Sequence, residues 1–404
     1  VSHPRTIAPP APQPPAAGPG TQRYRPAIRR LPPVVTALGL FAAVRLVGVL
    51  AVAVAASATD RSLFRLLGRS WDSVWYLGIA AHGYGHRTTH YRPGVIFSDL
   101  AFFPLYPGLV RAVESVLPVS WGAAALLVSW TAAAAAACGI FVLGSRLYGR
   151  PVGLLLVLLW GVMPHSVVLS MAYTEPLLTA FAVWALYAAL SGRWVWAGSL
   201  AALAGLSRPN GFAVAAAVLA AAAQELWRAR REGRKVVHRL WTGALIAPAG
   251  WCAYVTWVGL RRNDLPGGYF KVQSDWGSRF DFGVGAFQFV GVLLTRTSRF
   301  VFPIALVTVL VAVLLFALLL AERVPLPLVV YTGVLLVVAL GGSGFFESKP
   351  RFLLPAFPLL IPPALALART ARARPGHAIV VITFLTGLSL SYGVFLIAFG
   401  RAPL

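Results

Sequence analysis

Apolar runs long enough to cross a bilayer recur from Pro33 almost to the end of this 404-residue chain, and they narrow its folding options more than any other feature. Hydrocarbon about 30 Å thick takes roughly 20 residues of helix, because backbone N–H and C=O groups find no water there and must bond within the segment. Charged residues make up 12% of the chain, against about 25% in a soluble domain. The chain is therefore read as an all-α polytopic membrane protein with about 11 transmembrane helices. Hydropathy places them near 33–57, 119–144, 151–171, 175–190, 194–208, 211–227, 240–260, 300–321, 326–342, 352–368 and 378–399. Two connecting segments are long, about 58–118 and about 261–299. Their aromatic, amphipathic stretches, Trp71 to Leu77 and Phe282 to Leu294, fit interfacial helices that roof a cavity.

The net charge of +23 does not mark a nucleic-acid protein, because the basic residues sit in short clusters between apolar runs rather than along one soluble face. Residues 1–32, rich in Pro, Ala and Arg, are expected to form a disordered cytoplasmic tail, leaving 33–404 as one transmembrane catalytic domain. Arg146, Arg150, Arg193, the run Arg228 to Lys235, Arg323, Arg369, Arg372 and Arg374 then all fall in cytoplasmic turns, as the positive-inside rule requires. A signal-peptide reading of Arg29-Arg30 and the run after it fails, since about 25 apolar residues exceed the length of such a segment. Cys138 and Cys252 lie within spans and are read as packing residues. The only lysines are Lys235, Lys271 and Lys349, and with the Ala-rich helices this arginine bias points to a high-GC bacterial genome.

The carboxylates follow a second regularity. Asp60, Asp72, Asp99, Glu114, Glu175, Asp264, Asp275, Asp281 and Glu347 fall on the extracytoplasmic side, leaving only Glu225, Glu232 and Glu322 inside. Orientation rules do not count acidic residues, so a reaction centre is one cause of this bias, and longer outer loops are another. Asp72 sits in Trp71-Asp72-Ser73-Val74-Trp75-Tyr76, where aromatic neighbours strip a carboxylate of water and suit it to accept a proton; a helix cap in an aromatic belt is the plainer role. Glu175, in Tyr173-Thr174-Glu175-Pro176, begins a span where a helix dipole favours any carboxylate. Arg208-Pro209-Asn210-Gly211 and Glu347-Ser348-Lys349-Pro350-Arg351 are turns at the same level, and both supply guanidinium groups suited to a lipid phosphate or to snorkelling. Arg45, mid-span, must face the bundle or a wet cavity. His82, His86 and His90 have helical spacing, but Gly83 and Gly85 break the helix and with it a metal site. His165 is read as a bundle residue.

Trp71-Asp72, Ile79-Ala80 with Gly83-Tyr84, Phe102-Phe103-Pro104 with Pro107, Tyr173-Thr174-Glu175, Arg208-Pro209-Asn210-Gly211 and Pro350-Arg351-Phe352 together resemble, in the same order, the PIG-V family of mannosyltransferases. The resemblance runs from about residue 40 to 365. It covers the eukaryotic enzyme that adds the second mannose of glycosylphosphatidylinositol anchors and bacterial, notably actinobacterial, relatives. Pro209 and the Leu105-Tyr106 pair depart from the eukaryotic pattern. The family is similar in architecture to GT-C glycosyltransferases.

The resemblance implies a hexosyltransferase of the cell membrane, N-terminus cytoplasmic and active face extracytoplasmic. It implies a polyprenyl-phosphate-mannose donor and inverting transfer to a lipid, glycolipid or protein acceptor, with Asp72 as general base. Arg208, Arg351 and Lys349 would hold the donor phosphate; Trp71, Tyr84, Tyr173, Glu175, Asn210 and Glu347 would contact substrate. No cofactor or metal is needed in principle, because a neutralised lipid phosphate is already a competent leaving group. The alternative is a transporter or flippase of a polyprenyl-linked sugar, which Arg45 favours and which would place charges nearer mid-membrane.

Overall fold

A computed structural model describes residues 32–92, 95–295 and 299–400, so all of the expected N-terminal tail but Pro32 lies outside the described residues. Among the described residues, six helices are long and apolar enough to cross a membrane: Pro33–Ala58, Trp121–Tyr148, Pro209–Arg231, His238–Arg261, Val301–Ala321 and Pro375–Phe399. A bent pair, Phe346–Phe352 and Phe357–Ala373, adds a seventh. The shorter apolar helices Arg150–Gly161, Glu175–Leu190, Trp194–Ser207 and Leu326–Gly341 occupy the remaining expected spans. The protein is an all-α membrane bundle.

Where a span breaks, proline is the cause. The segment expected over 151–171 is helical only as far as Gly161; past Pro164 it resumes as the 3-10 turn Ser166–Ser170. Pro248 divides His238–Ile246 from Ala249–Arg261, and Pro355 with Pro358 lies at the 77° bend of the seventh span. Each ring removes a backbone donor and collides with the preceding turn. Elsewhere the helices close to backbone contact. A Cβ on Gly198 would lie 2.2 Å from the Gly243 carbonyl, so no other residue fits between Trp194–Ser207 and His238–Ile246. Arg45 faces the bundle, where its Nη1 donates to the Ser166 carbonyl.

The first long connection is more ordered than an interfacial stretch. It holds the helices Leu63–Gly68, Ser73–His82 and Leu105–Val116 and an unexpected antiparallel hairpin, Thr88–Arg92 with Val95–Ser98. Trp75, Tyr76, Ile79 and Ala80 are buried, because Trp75 stacks on Phe102 at 5.8 Å and meets the edge of Trp276 at 5.1 Å. Asp99 closes the hairpin by accepting from the amides of Gly85, His86 and Arg87. In the second connection, Gly268–Asp275 packs through Tyr269 and Val272. Val284–Thr295 buries no side chain, and Phe287 and Leu294 on it are exposed, as an interfacial helix requires.

Candidate active site

Four charged side chains distant in sequence meet where the ends of several helices converge. Asp72 directly precedes the helix Ser73–His82, and Glu175 is the first residue of Glu175–Leu190. Arg208 caps the C-terminus of Trp194–Ser207, and Arg351 lies in the turn Lys349–Phe352 at the bend of the broken span. Arg351 Nη1 donates to Asp72 Oδ2 at 2.7 Å, while its Nε lies 3.3 Å from Glu175 Oε1. Arg208 Nη1 pairs with the same Glu175 oxygen and donates to Thr174 Oγ1 at 3.0 Å. The chain of contacts is Asp72, Arg351, Glu175, Arg208. Two carboxylates balance two guanidinium groups.

Local structure explains how each group is held. Ala172 donates its amide to the Leu67 carbonyl and accepts from Ser73 Oγ at 3.0 Å, which ties the Asp72 turn to the Tyr173-Thr174-Glu175 turn. Ser129, inside Trp121–Tyr148, donates to the Tyr173 carbonyl at 2.8 Å and accepts from the Tyr173 amide at 3.1 Å. Sequence reasoning missed Ser129, since a serine within a long apolar helix gives no signal of its own. In Arg208-Pro209-Asn210-Gly211, a Cβ at Gly211 would stand 2.1 Å from the Ala204 carbonyl, so glycine is required for the chain to turn straight after Arg208. Trp71 (φ 48°) and Phe345 (φ 42°) adopt left-handed backbone that bulky residues avoid. They lead into Asp72 and into the turn carrying Arg351, and strain of this kind is concentrated at functional sites.

Burial distinguishes the two carboxylates. The Glu175 side chain is fully buried, whereas 22% of the Asp72 side chain is exposed. Among the phenols, the Asp72 amide donates to Tyr173 Oη at 3.4 Å, and Tyr76 Oη lies 3.1 Å from Thr174 Oγ1. Burial pushes both hydroxyls up from the usual tyrosine range, so they stay protonated. Of the two carboxylates, Asp72 is the one an incoming group can reach.

Beside the network runs a groove of about 1190 Å3. One wall is the stripe Val330, Val334 and Val337 of Leu326–Gly341; the other includes Phe212, Trp251 and Tyr269. Gln273, Ser274, Ser278 and Ser343 bring polar groups to it, and Arg208 and Phe352 connect it to the charged network. The Phe352 ring lies 5.8 Å from the Arg208 guanidinium and 5.1 Å from that of Arg351.

The other expected residues divide. Tyr173 is in the site, its ring 5.2 Å from the Arg351 guanidinium. Trp71 packs partly buried before Asp72, and Asn210, buried with Oδ1 unpartnered among the described residues, lines the groove. Lys349 lines it too, but its Nζ donates to the carbonyls of Ala339 and Gly342, where it caps the end of Leu326–Gly341. Tyr84 lies apart, donating to the Phe102 carbonyl at 2.8 Å with its ring against Trp257. Glu347 is half-buried and has no ion pair among the described residues. His82 and His86 rings are 6.2 Å apart, and among the described residues no three His, Cys, Asp or Glu side chains group as metal ligands.

Residues 36–248 match the family described as Mannosyltransferase (PIG-V). No curated protein matches the chain. Among solved structures, the fold is similar to that of archaeal oligosaccharyltransferase AglB from Archaeoglobus fulgidus in complex with an inhibitory peptide and a dolichol-phosphate. The TM-score is 0.51 at 13% identity, covering 90% of this chain and 56% of that one. The Archaeoglobus fulgidus oligosaccharyltransferase in complex with Zn and sulfate gives a TM-score of 0.51 at 13% identity, over 89% and 54%. The chain thus spans little more than half the length of these structures, and the likeness is one of fold.

Proposed function

The chain belongs to the mannosyltransferase (PIG-V) family of membrane glycosyltransferases, and on that premise we propose that it transfers mannose from a polyprenyl-phosphate mannose to a lipid, glycolipid or protein acceptor on the extracytoplasmic face of the cell membrane. The observation that carries this reading is the meeting of Asp72, Glu175, Arg208 and Arg351 at the head of an apolar groove. A transporter would place its charges nearer mid-membrane, whereas these four residues lie at helix ends and in turns. Arg45 gives the transporter reading no further support, since the cavity beside it is about 10 Å3, the room of a single water.

In this mechanism the polyprenyl chain lies along the valine stripe and its phosphate stands at Arg208. The acceptor hydroxyl approaches Asp72 from the exposed side. Its oxygen attacks the anomeric carbon from the face opposite the phosphate, and the new C–O bond forms as the old one breaks. The electron pair of the broken bond goes to the phosphate oxygen, the hydroxyl proton goes to Asp72, and the configuration inverts. Arg351 orients Asp72, while Arg208 meets the charge that grows on the departing phosphate. Glu175 fixes both guanidinium groups, and Asn210 is placed to bind a sugar or acceptor hydroxyl.

The test is transfer of radiolabelled mannose by purified protein in vesicles. The proposal expects label from polyprenyl-phosphate mannose to appear in an acceptor extracted from native membranes; use of a nucleotide sugar in place of the lipid donor would overturn it. Mass spectrometry of lipids and glycoproteins from cells lacking the protein then identifies the acceptor by the mannosylated species that disappears.

A further inference from the structure

We infer that Arg279, a residue outside every motif singled out in the sequence, is a second phosphate ligand of the groove and supplies the positive charge that the network lacks. The inference rests on the proposed donor. Asp72 and Glu175 neutralise Arg351 and Arg208. A phosphodiester entering the groove brings one further negative charge, and the phosphate monoester left after transfer carries roughly 1.5 to 2. Low-dielectric surroundings make that excess costly unless another cation faces it.

Among the described residues, two cations besides Arg208 line the groove. Lys349 points its ammonium at two carbonyls. Arg279 differs. Its main chain is fixed, since its carbonyl accepts from the Ser343 amide at 2.7 Å and its amide donates to Ser343 Oγ at 3.3 Å. Its exposed guanidinium has no carboxylate within ion-pair distance among the described residues. Ser274 and Ser278 line the same groove and add hydroxyl donors for the remaining phosphate oxygens, while the Ser343 hydroxyl donates to the Arg279 carbonyl at 3.1 Å and helps fix that main chain. A guanidinium anchored through its backbone and free at its tip suits a ligand whose charge increases during the reaction.

The experiment compares wild type, Arg279→Ala and Arg279→Lys for binding of polyprenyl phosphate, which needs no turnover, and for donor KM and kcat. Arg279→Ala should weaken polyprenyl-phosphate binding and raise donor KM by roughly ten- to a hundredfold, the worth of one charge-assisted hydrogen bond. Its melting temperature should not change, and Arg279→Lys should recover most of the loss. Equal binding and equal KM in wild type and Arg279→Ala would overturn the inference while leaving the proposed transfer intact. Polyprenyl phosphate bound by wild type without mannose transfer would instead count against the transfer and leave Arg279 assigned.

Discussion

Arg208→Met should cost more stability than the loss of one ion pair, because it leaves Glu175 charged in a fully buried position. Glu175 touches two guanidinium groups: Arg208, and Arg351 through Nε at 3.3 Å. Both of its carboxylate oxygens lack an aligned hydrogen bond among the described residues, so ion pairing does most to offset its desolvation. Removing one partner of a buried pair typically costs about 3–5 kcal/mol. At roughly 2 °C per kcal/mol for a large domain, the apparent melting temperature in detergent should fall by roughly 6–10 °C. Glu175→Gln should also destabilise, since Arg208 then retains only Thr174 among these contacts. The double variant Arg208→Met/Glu175→Gln removes both charges and should be more stable than the sum of the two losses predicts, by about 1–3 kcal/mol of coupling. Strictly additive losses would refute the claim that the two residues form one electrostatic unit.

Two further outcomes follow from single contacts. Ser129→Ala removes both bonds to the Tyr173 peptide and should cost about 1–3 kcal/mol, read as a lower melting temperature together with slower mannose transfer. Lys349→Met frees the Ala339 and Gly342 carbonyls; the melting temperature should fall while donor KM changes less than in Arg279→Ala, and the reverse order would make Lys349 the main phosphate ligand.

Hydropathy made most of the bundle legible because the bilayer fixes segment length, and each expected span falls on a helix or a broken helix. The breaks at Pro164, Pro248 and Pro355 were written in the residues but overridden by continuous apolarity. The Ser73–His82 helix was expected at the interface because its aromatic residues suit a membrane surface equally well; only the arrival of Phe102 and Trp276 from other segments makes it core. In the site, motif residues pointed to Asp72, Glu175, Arg208 and Arg351. Their pairing was not legible, since Arg351 and Asp72 are 279 positions apart and either guanidinium fits a lipid phosphate as well as a carboxylate. Tyr84 belongs to the same motifs yet its hydroxyl holds the Phe102 carbonyl, which spacing cannot reveal. Ser129 and Arg279 carry no local pattern, and their importance comes only from what folds against them.

In the proposed reaction Asp72, the carboxylate left partly open, takes the acceptor proton. The most direct measurement is the single-turnover rate of mannose transfer by Asp72→Asn from polyprenyl-phosphate mannose, in protein shown to be folded and to bind polyprenyl phosphate. The rate should fall roughly 10²–10⁴-fold with donor binding retained; a rate near that of wild type would contradict a general-base role for Asp72.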